Sequence, residues 1–308
     1  MNPIPQFASD LLATCPTSGE GVHNWLFRAA RVLHHCRPLE EIEALLEAAS
    51  HGCGRSVPAR EIQAAVRDSK ACEYVPGQSQ RMSTKGFARG KPSLVAPPRG
   101  WPKRNAQVVD AICADGWGLA DLWEASPVRL EDNQPNTEAI IDWLFPGNPL
   151  LCVGASMRHF DTRRRDDWRG RLHRKQLIVP SPMKAKTGTA KAGHPSAHTL
   201  DNTGPRRFLV VEFDEGTFDK HAAVLWHLAG LAPLVLVVMS GNKSLHGWFW
   251  VDGCNEGKLR RFMEYATAHG ADPATWTRSQ FVRMPDGARD NGNRQAVLFF
   301  NPLSIQQT

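Results

Sequence analysis

Three short stretches carry residue types at spacings that could do chemistry. In RRFLVVEFDEG, residues 206–216, an apolar run ends in Glu212 and Asp214. On a strand these two project from one face, about 7 Å apart. Carboxylates that close repel one another, and burying either without a partner is costly. A hard divalent cation resolves this: Mg²⁺ or Mn²⁺ takes oxygen ligands from one or two carboxylates and completes its shell with waters and substrate phosphates. In SGNKSLH, residues 240–246, Ser244 and His246 alternate onto one face and Lys243 lies in the turn before them. In GADPATWTRSQFVRMPDGAR, residues 270–289, Asp272 precedes Arg283 and Arg289, with Asp286 between the two arginines. Acids that gather cations beside bases that gather phosphates are the ingredients of in-line phosphoryl transfer.

The elements that must position these residues follow from periodicity. Residues 207–214, 234–240, 244–251 and 295–300 read as strands, and 217–230 and 255–269 as helices. The order βαββαβ is that of ferredoxin-like and RNA-recognition (RRM) folds and of polymerase palms. A right-handed crossover makes the first two strands parallel, with the third inserted antiparallel between them. The acidic end of the first strand then borders the Ser244–His246 start of the third. Both helices are expected on one sheet face, leaving the other open, with Trp248 and Trp250 as stacking or core residues on the His246 face.

The strand VEFD, the turn and strand SGNKSLH, and the downstream acid-then-arginine block together resemble the three motifs of the archaeo-eukaryotic primase superfamily, above all the primase-polymerases of phages, plasmids and integrated elements. The resemblance covers roughly residues 105–303, with specific motifs only in 206–301. It implies that Glu212, Asp214 and Asp272 hold two Mg²⁺ or Mn²⁺ ions and that Glu212, Asp214 and His246 are catalytic. It further implies that Lys243, Ser244, His246, Arg283 and Arg289 meet the phosphates of an NTP or dNTP. Asp286 competes with Asp272 as third acid; Asp272 is preferred. The implied activity is template-dependent nucleotidyl transfer, making primers on single-stranded DNA.

Domain organisation follows from composition. Residues 1–75 read as a helical accessory domain, similar to the helical modules beside primase domains; 76–104, rich in Gly, Pro, Ser and bases, as a flexible basic linker; and 105–308 as the catalytic domain around the 206–301 core. Within the last, helices are expected from residue 106 and over 137–144, a strand over 150–154, and a mobile loop over 180–204. The fold class is therefore α+β, an RRM-like core preceded by a small helical domain. Thirty-seven Lys and Arg against 31 Asp and Glu lean toward an anionic partner. The Arg-rich run 158–175 is either a phosphate-binding surface or a solvated face, and Glu212 could simply pair with one of its arginines.

Several classes fall away. The longest apolar run, 228–239, is too short for a membrane span and contains Pro233, residues 1–10 lack the pattern of a signal peptide, and seven scattered Cys fit a reducing, cytoplasmic setting. His34, His35, Cys36, His51 and Cys53 match no common zinc spacing. SGNKS and GFARGKPS both fail the P-loop pattern, so unwinding calls for a separate helicase. Two other readings share the topology. One is an RRM-type RNA binder using strand aromatics. The other is a rolling-circle nuclease, for which Tyr265 is the sole Tyr in the catalytic half and a second strand His is missing.

Overall fold

The computed structural model describes residues 4, 6–17, 22–34, 36–70, 100–114, 117–130, 134–241 and 243–305. The chain divides into two compact units, one of them essentially its first 79 residues. In this first unit, apolar residues at helical spacing form α1 (Gln6–Ala13), α2 (Val22–Leu33), α3 (Leu39–Ser50) and α4 (Ala59–Lys70). Leu26, Leu33, Ile42, Leu46 and Val66 are buried between them. α1 is a helix that the sequence pattern does not announce. His34 Nε2 lies 3.0 Å from the Val66 carbonyl and 2.9 Å from Ser69 Oγ, and the Cys53 thiol donates to the Arg55 carbonyl at 3.3 Å. These are structural hydrogen bonds.

The second unit opens with α5 (Ala106–Ala114), α6 (Leu119–Glu124) and α7 (Thr137–Leu144). Most of the expected linker falls outside the described residues. At its end, Trp101 meets Trp276 edge-on at 6.0 Å, the Arg260 guanidinium lies 3.6 Å over Trp101, and just beyond it the Asn105 N–H donates to Ala268.

Two four-stranded antiparallel sheets follow. β1 (Leu150–Gly154), β2 (Phe160–Arg164) and β3 (Leu177–Ile178) belong to the first, whose order is β2-β1-β3-β9. Between β3 and the second sheet, the small hairpin of β4 (Gly188–Thr189) and β5 (Pro195–Ser196) interrupts 180–204. That stretch is pinned rather than mobile. The Asn202 side chain bonds Thr199 and the carbonyls of Ala185 and Ala197, and Met183 N–H reaches Leu150.

β6 (Phe208–Glu212), α8 (Phe218–Ala229), β7 (Leu234–Met239), β8 (Leu245–Trp250) and α9 (Glu256–Ala268) come next, then β9 (Val282–Arg283) in the first sheet and β10 (Val297–Phe300) in the second. Thr217 caps α8 by accepting from the Lys220 N–H, and Asn255 caps α9 by accepting from Gly257. The second sheet has the order β10-β7-β8-β6, all antiparallel, so β8 does sit between β6 and β7. β10 adds outside β7, whereas a ferredoxin-like arrangement would put it beside β6. The far edge of β6 is already taken: its Glu212 carbonyl accepts from the Asp272 N–H at 2.8 Å.

Both faces of this sheet are covered, so the open face expected from sequence does not exist. Helices take one side: Gly247 admits Leu225 of α8 so closely that a Cβ there would collide with the leucine methyl, and Phe249 packs on Phe262 of α9. The first sheet and α7 take the other, where Phe208, Val210, Trp248 and Trp250 join Leu151, Val153, Ile178, Val282 and Met284 in one core. Burial on both sides explains the unbroken apolar run LVLVVM of β7. Trp248 and Trp250 are core residues and offer no stacking platform. Among the described residues no helix is long and apolar enough to cross a membrane.

Candidate active site

The register of β6 on β8 decides where the chemistry sits. Glu212 stands directly across from His246, and Val238 of β7 completes that row. Here the two sheets part, and a cleft of about 410 Å³ opens. Glu212 and His246 form one wall. Gln176, Val282 and Arg283 come from the first sheet, Ser156 and Met157 from the β1–β2 turn, and Arg289 from the loop before β10.

Glu212 Oε2 lies 3.0 Å from His246 Nδ1. Burial pushes the Glu212 carboxyl up to about 7, and the neighbouring Asp272 and Asp214 charges add to the rise, against a smaller opposing pull from Arg283. His246 is held down to about 3 by burial, then by the Arg283 charge, His221 and Arg289. A carboxyl reluctant to lose its proton therefore faces an imidazole that stays neutral. Ser244 Oγ is 3.5 Å from His246 Nε2 and 3.1 Å from Ser240 Oγ.

Among the described residues, the two arginines of the cleft have no carboxylate within ion-pair distance. Arg283 donates to the Gln176 amide oxygen at 3.3 Å, and Arg289 to the Ser240 carbonyl at 3.1 Å. Burial lowers the Arg283 pKa, and the nearby Arg289 charge lowers it further. Arg289 is held by a turn whose Asn293 side chain donates to the Gly241 carbonyl at 3.0 Å. Gly241 is required there: its φ is +72°, and a Cβ would lie 3.0 Å from Arg289 Cδ. Ser240 and Gly241, just after β7, thus fasten the Arg289 loop.

The two candidates for third acid sit in different surroundings, and the Asp272 carboxylate accepts the Ala274 N–H at 2.9 Å. Asp272 bonds through its backbone to Glu212, and its charge raises the Glu212 pKa. Asp286 is buried and committed elsewhere: its carboxylate pairs with Arg294 and accepts the Asn136 N–H at 2.6 Å, just before α7. Asp214 is exposed beyond the end of β6, and Lys243 is exposed in the turn without lining the cleft. Among the described residues no three His, Cys, Asp or Glu side chains converge as a finished metal cage. The donor set nevertheless suits a hard cation. It consists of carboxylate oxygens whose mutual repulsion raises a pKa, and bound positive charge would relieve that repulsion.

Within the Arg-rich run 158–175, Arg165 and Arg169 serve the scaffold. Arg165, 1% exposed, pairs with Glu138 at 2.7 Å and Asp142 at 3.0 Å on α7, and Arg169 pairs with Asp142 and Asp166. The side chain facing Glu212 is the neutral His246, not an arginine of this run. Sequence reasoning missed Gln176, the buried amide that orients Arg283, and His221, whose ring stacks on Phe213 at 4.6 Å and whose Nε2 lies 2.9 Å from the Glu215 carbonyl. Neither lies in a motif, so only the packing of distant segments exposes them.

The sequence matches no family model and no curated protein. Over 63% of its length the chain is similar to the polymerase domain from Mycobacterium tuberculosis ligase D in complex with DNA, at 14% identity and a TM-score of 0.33, with 84% of that chain covered.

Proposed function

We propose that the chain is a template-dependent nucleotidyltransferase of primase-polymerase type, built on the sheet of β6, β7, β8 and β10. One observation carries this reading. Glu212, whose pKa the nearby Asp272 and Asp214 charges raise, lines the same cleft as the mutually repelling Arg283 and Arg289, and a cation-bound triphosphate would satisfy both signs at once. Glu212, Asp214 and Asp272 would hold Mg²⁺ or Mn²⁺, which supplies Lewis-acid clamping of the attacking and leaving oxygens. Arg283 and Arg289 bind the triphosphate and neutralise charge as pyrophosphate departs. His246, neutral, offers phosphate oxygens a hydrogen bond instead of a charge. Gln176 holds the Arg283 fork at its working angle. The template is single-stranded DNA, and strand separation falls to another protein.

The competing readings lose their physical basis. An RRM-type RNA binder needs an exposed aromatic sheet face, and both strand tryptophans are interior. A rolling-circle nuclease needs an activated Tyr near the acids. Tyr265 belongs to α9 on the helical side of the sheet, bonds His227 at 2.8 Å, and has its pKa raised by burial. The decisive experiment is incorporation of labelled NTPs or dNTPs on single-stranded DNA with Mg²⁺ or Mn²⁺. Asp214→Ala, at an exposed position, should abolish it, and undiminished synthesis by that variant would sink the mechanism.

A further inference from the structure

A second cavity, of about 430 Å³, opens where the chain enters β6, the end opposite Glu212. Six residues separate Arg206 from Glu212, which on a strand is about 20 Å. Three bases line this cavity, Lys184, Arg206 and Arg278, against one acid, Glu256. Arg206 is buried and preorganised: its Nε donates to Glu256 at 2.9 Å, Nη2 donates to the Trp276 carbonyl, and its guanidinium lies 4.3 Å over the Trp276 ring. Lys184 stands 3.9 Å from Asp201, both well exposed. Arg278 is different. Its Nε is buried with no hydrogen-bond partner among the described residues, and its charge lies close enough to Arg206 to lower that residue's pKa.

A guanidinium with no acid within ion-pair distance among the described residues, lining a solvent-reached cavity with a second cation, is a poor arrangement for an empty protein. It suits a bound anion with several acceptor oxygens, because a guanidinium fork matches phosphate geometry. We infer that this cavity is a second phosphate site, which takes a backbone phosphate of a single nucleic-acid strand. The phosphate chemistry stands on Arg278, Arg206 and Lys184 alone; assigning it to a strand rests on the polymerase reading. A positively charged groove that follows the backbone is one means by which single strands are held without sequence readout.

The test measures binding of a fluorescein-labelled oligodeoxynucleotide to the full chain by anisotropy over a salt series, in EDTA and without nucleotide. Arg278→Gln should weaken binding equally for different sequences and reduce the slope of log K against log salt by about 0.7, one single-strand phosphate contact. Arg278→Lys, which keeps the charge, should restore most of the slope. Lys258→Gln, an exposed base outside the cavity, is the control for general charge. Equal losses in R278Q and K258Q, or an unchanged slope in R278Q, overturn the inference. Orthophosphate titrated alone by calorimetry separates the other source: heat that R278Q abolishes, together with an untouched oligonucleotide slope, would assign the cavity to a free anion and overturn the strand. Because no catalysis is measured, failure here leaves the Asp214→Ala result standing, and the reverse holds equally.

Discussion

Two clusters in the second unit mix arginines with acids, and they differ in how their charges are answered. Around Arg165, the buried guanidinium meets Glu138 and Asp142, Asp142 also meets Arg169, and Glu138 accepts the Leu172 N–H. Around Glu212, the carboxyl faces a neutral His and two further acids, while Arg283 and Arg289 bond an amide and a backbone carbonyl. In the first cluster each arginine has an acid within 3.0 Å, and the pairs tie β2 and its following turn to α7. The second is incomplete in both signs. Residue type alone does not distinguish scaffold from site; the state of pairing does.

The comparison is sharpened most by Glu212→Gln. Loss of the carboxylate should lower nucleotide incorporation by about 10³-fold, the scale of removing a principal electrostatic group from a transition state. The folded protein should survive, as circular dichroism would show. A variant that incorporates nucleotides within tenfold of wild type would break the contrast. Arg165→Ala should do the reverse. Removing the buried member of the paired cluster costs about 3 kcal/mol in denaturant unfolding, because the α7 acids lose their counter-charge. Incorporation per folded molecule should stay near wild type at low temperature. If stability is untouched and activity falls, the Arg165 cluster has been misassigned.

Next in size is Arg283→Gln. Losing one phosphate-directed guanidinium should cost about 10²-fold in kcat/KM. Thermal stability should change little, since the Arg283 guanidinium is held by a single long hydrogen bond to Gln176, at 3.3 Å. A large fall in Tm with an unchanged kcat/KM would place Arg283 in the same class as Arg165.

Much of the candidate site is legible in the amino-acid sequence. The alternation of Glu212 with Asp214, and of Ser244 with His246, fixes shared faces, and the crossover rule brings the two strands together. Trp248 and Trp250 show where that logic stops. Alternation puts them on the His246 face but says nothing about a first sheet formed by β1, β2, β3 and β9, two of which are only two residues long. Such strands have no periodicity to detect: β3 exists because the longer β1 supplies its partner, and β9 because β3 does. The placement of β10 is hidden for a similar reason: the Asp272 backbone occupies the edge of β6, a long-range contact without a local signature. Asp286 reads as a ligand because an acid in a Pro-Asp-Gly turn is legible, whereas its partners Arg294 and Asn136 are not. Its φ of 59° marks it as a turn residue committed to structure.

The smallest effect is the most specific, because Glu212 and His246 tilt stability in opposite directions. Glu212 has its pKa raised from 4.5 to about 7 in the folded state. Below 4.5 it is protonated whether folded or not. As pH rises through 7 the native carboxyl must ionise beside Asp272 and Asp214, so the contribution it makes at low pH is lost. His246 has its pKa lowered from 6.5 to about 3, so it contributes fully above 6.5 and loses that contribution as pH falls toward 3. Between about 4.5 and 6.5 the two trends oppose each other; from 6.5 upward only the Glu212 trend remains. Glu212→Gln removes that trend alone. The variant should therefore gain stability on wild type, by something on the order of 1 kcal/mol, as the pH is raised from 6 to 8. Saturating Mg²⁺ should close the gap by stabilising the wild-type carboxylate and not the amide. Melting curves for the two proteins that stay parallel from pH 6 to 8 would mean that Glu212 is solvated like any surface acid, and the contrast with the Arg165 cluster would collapse.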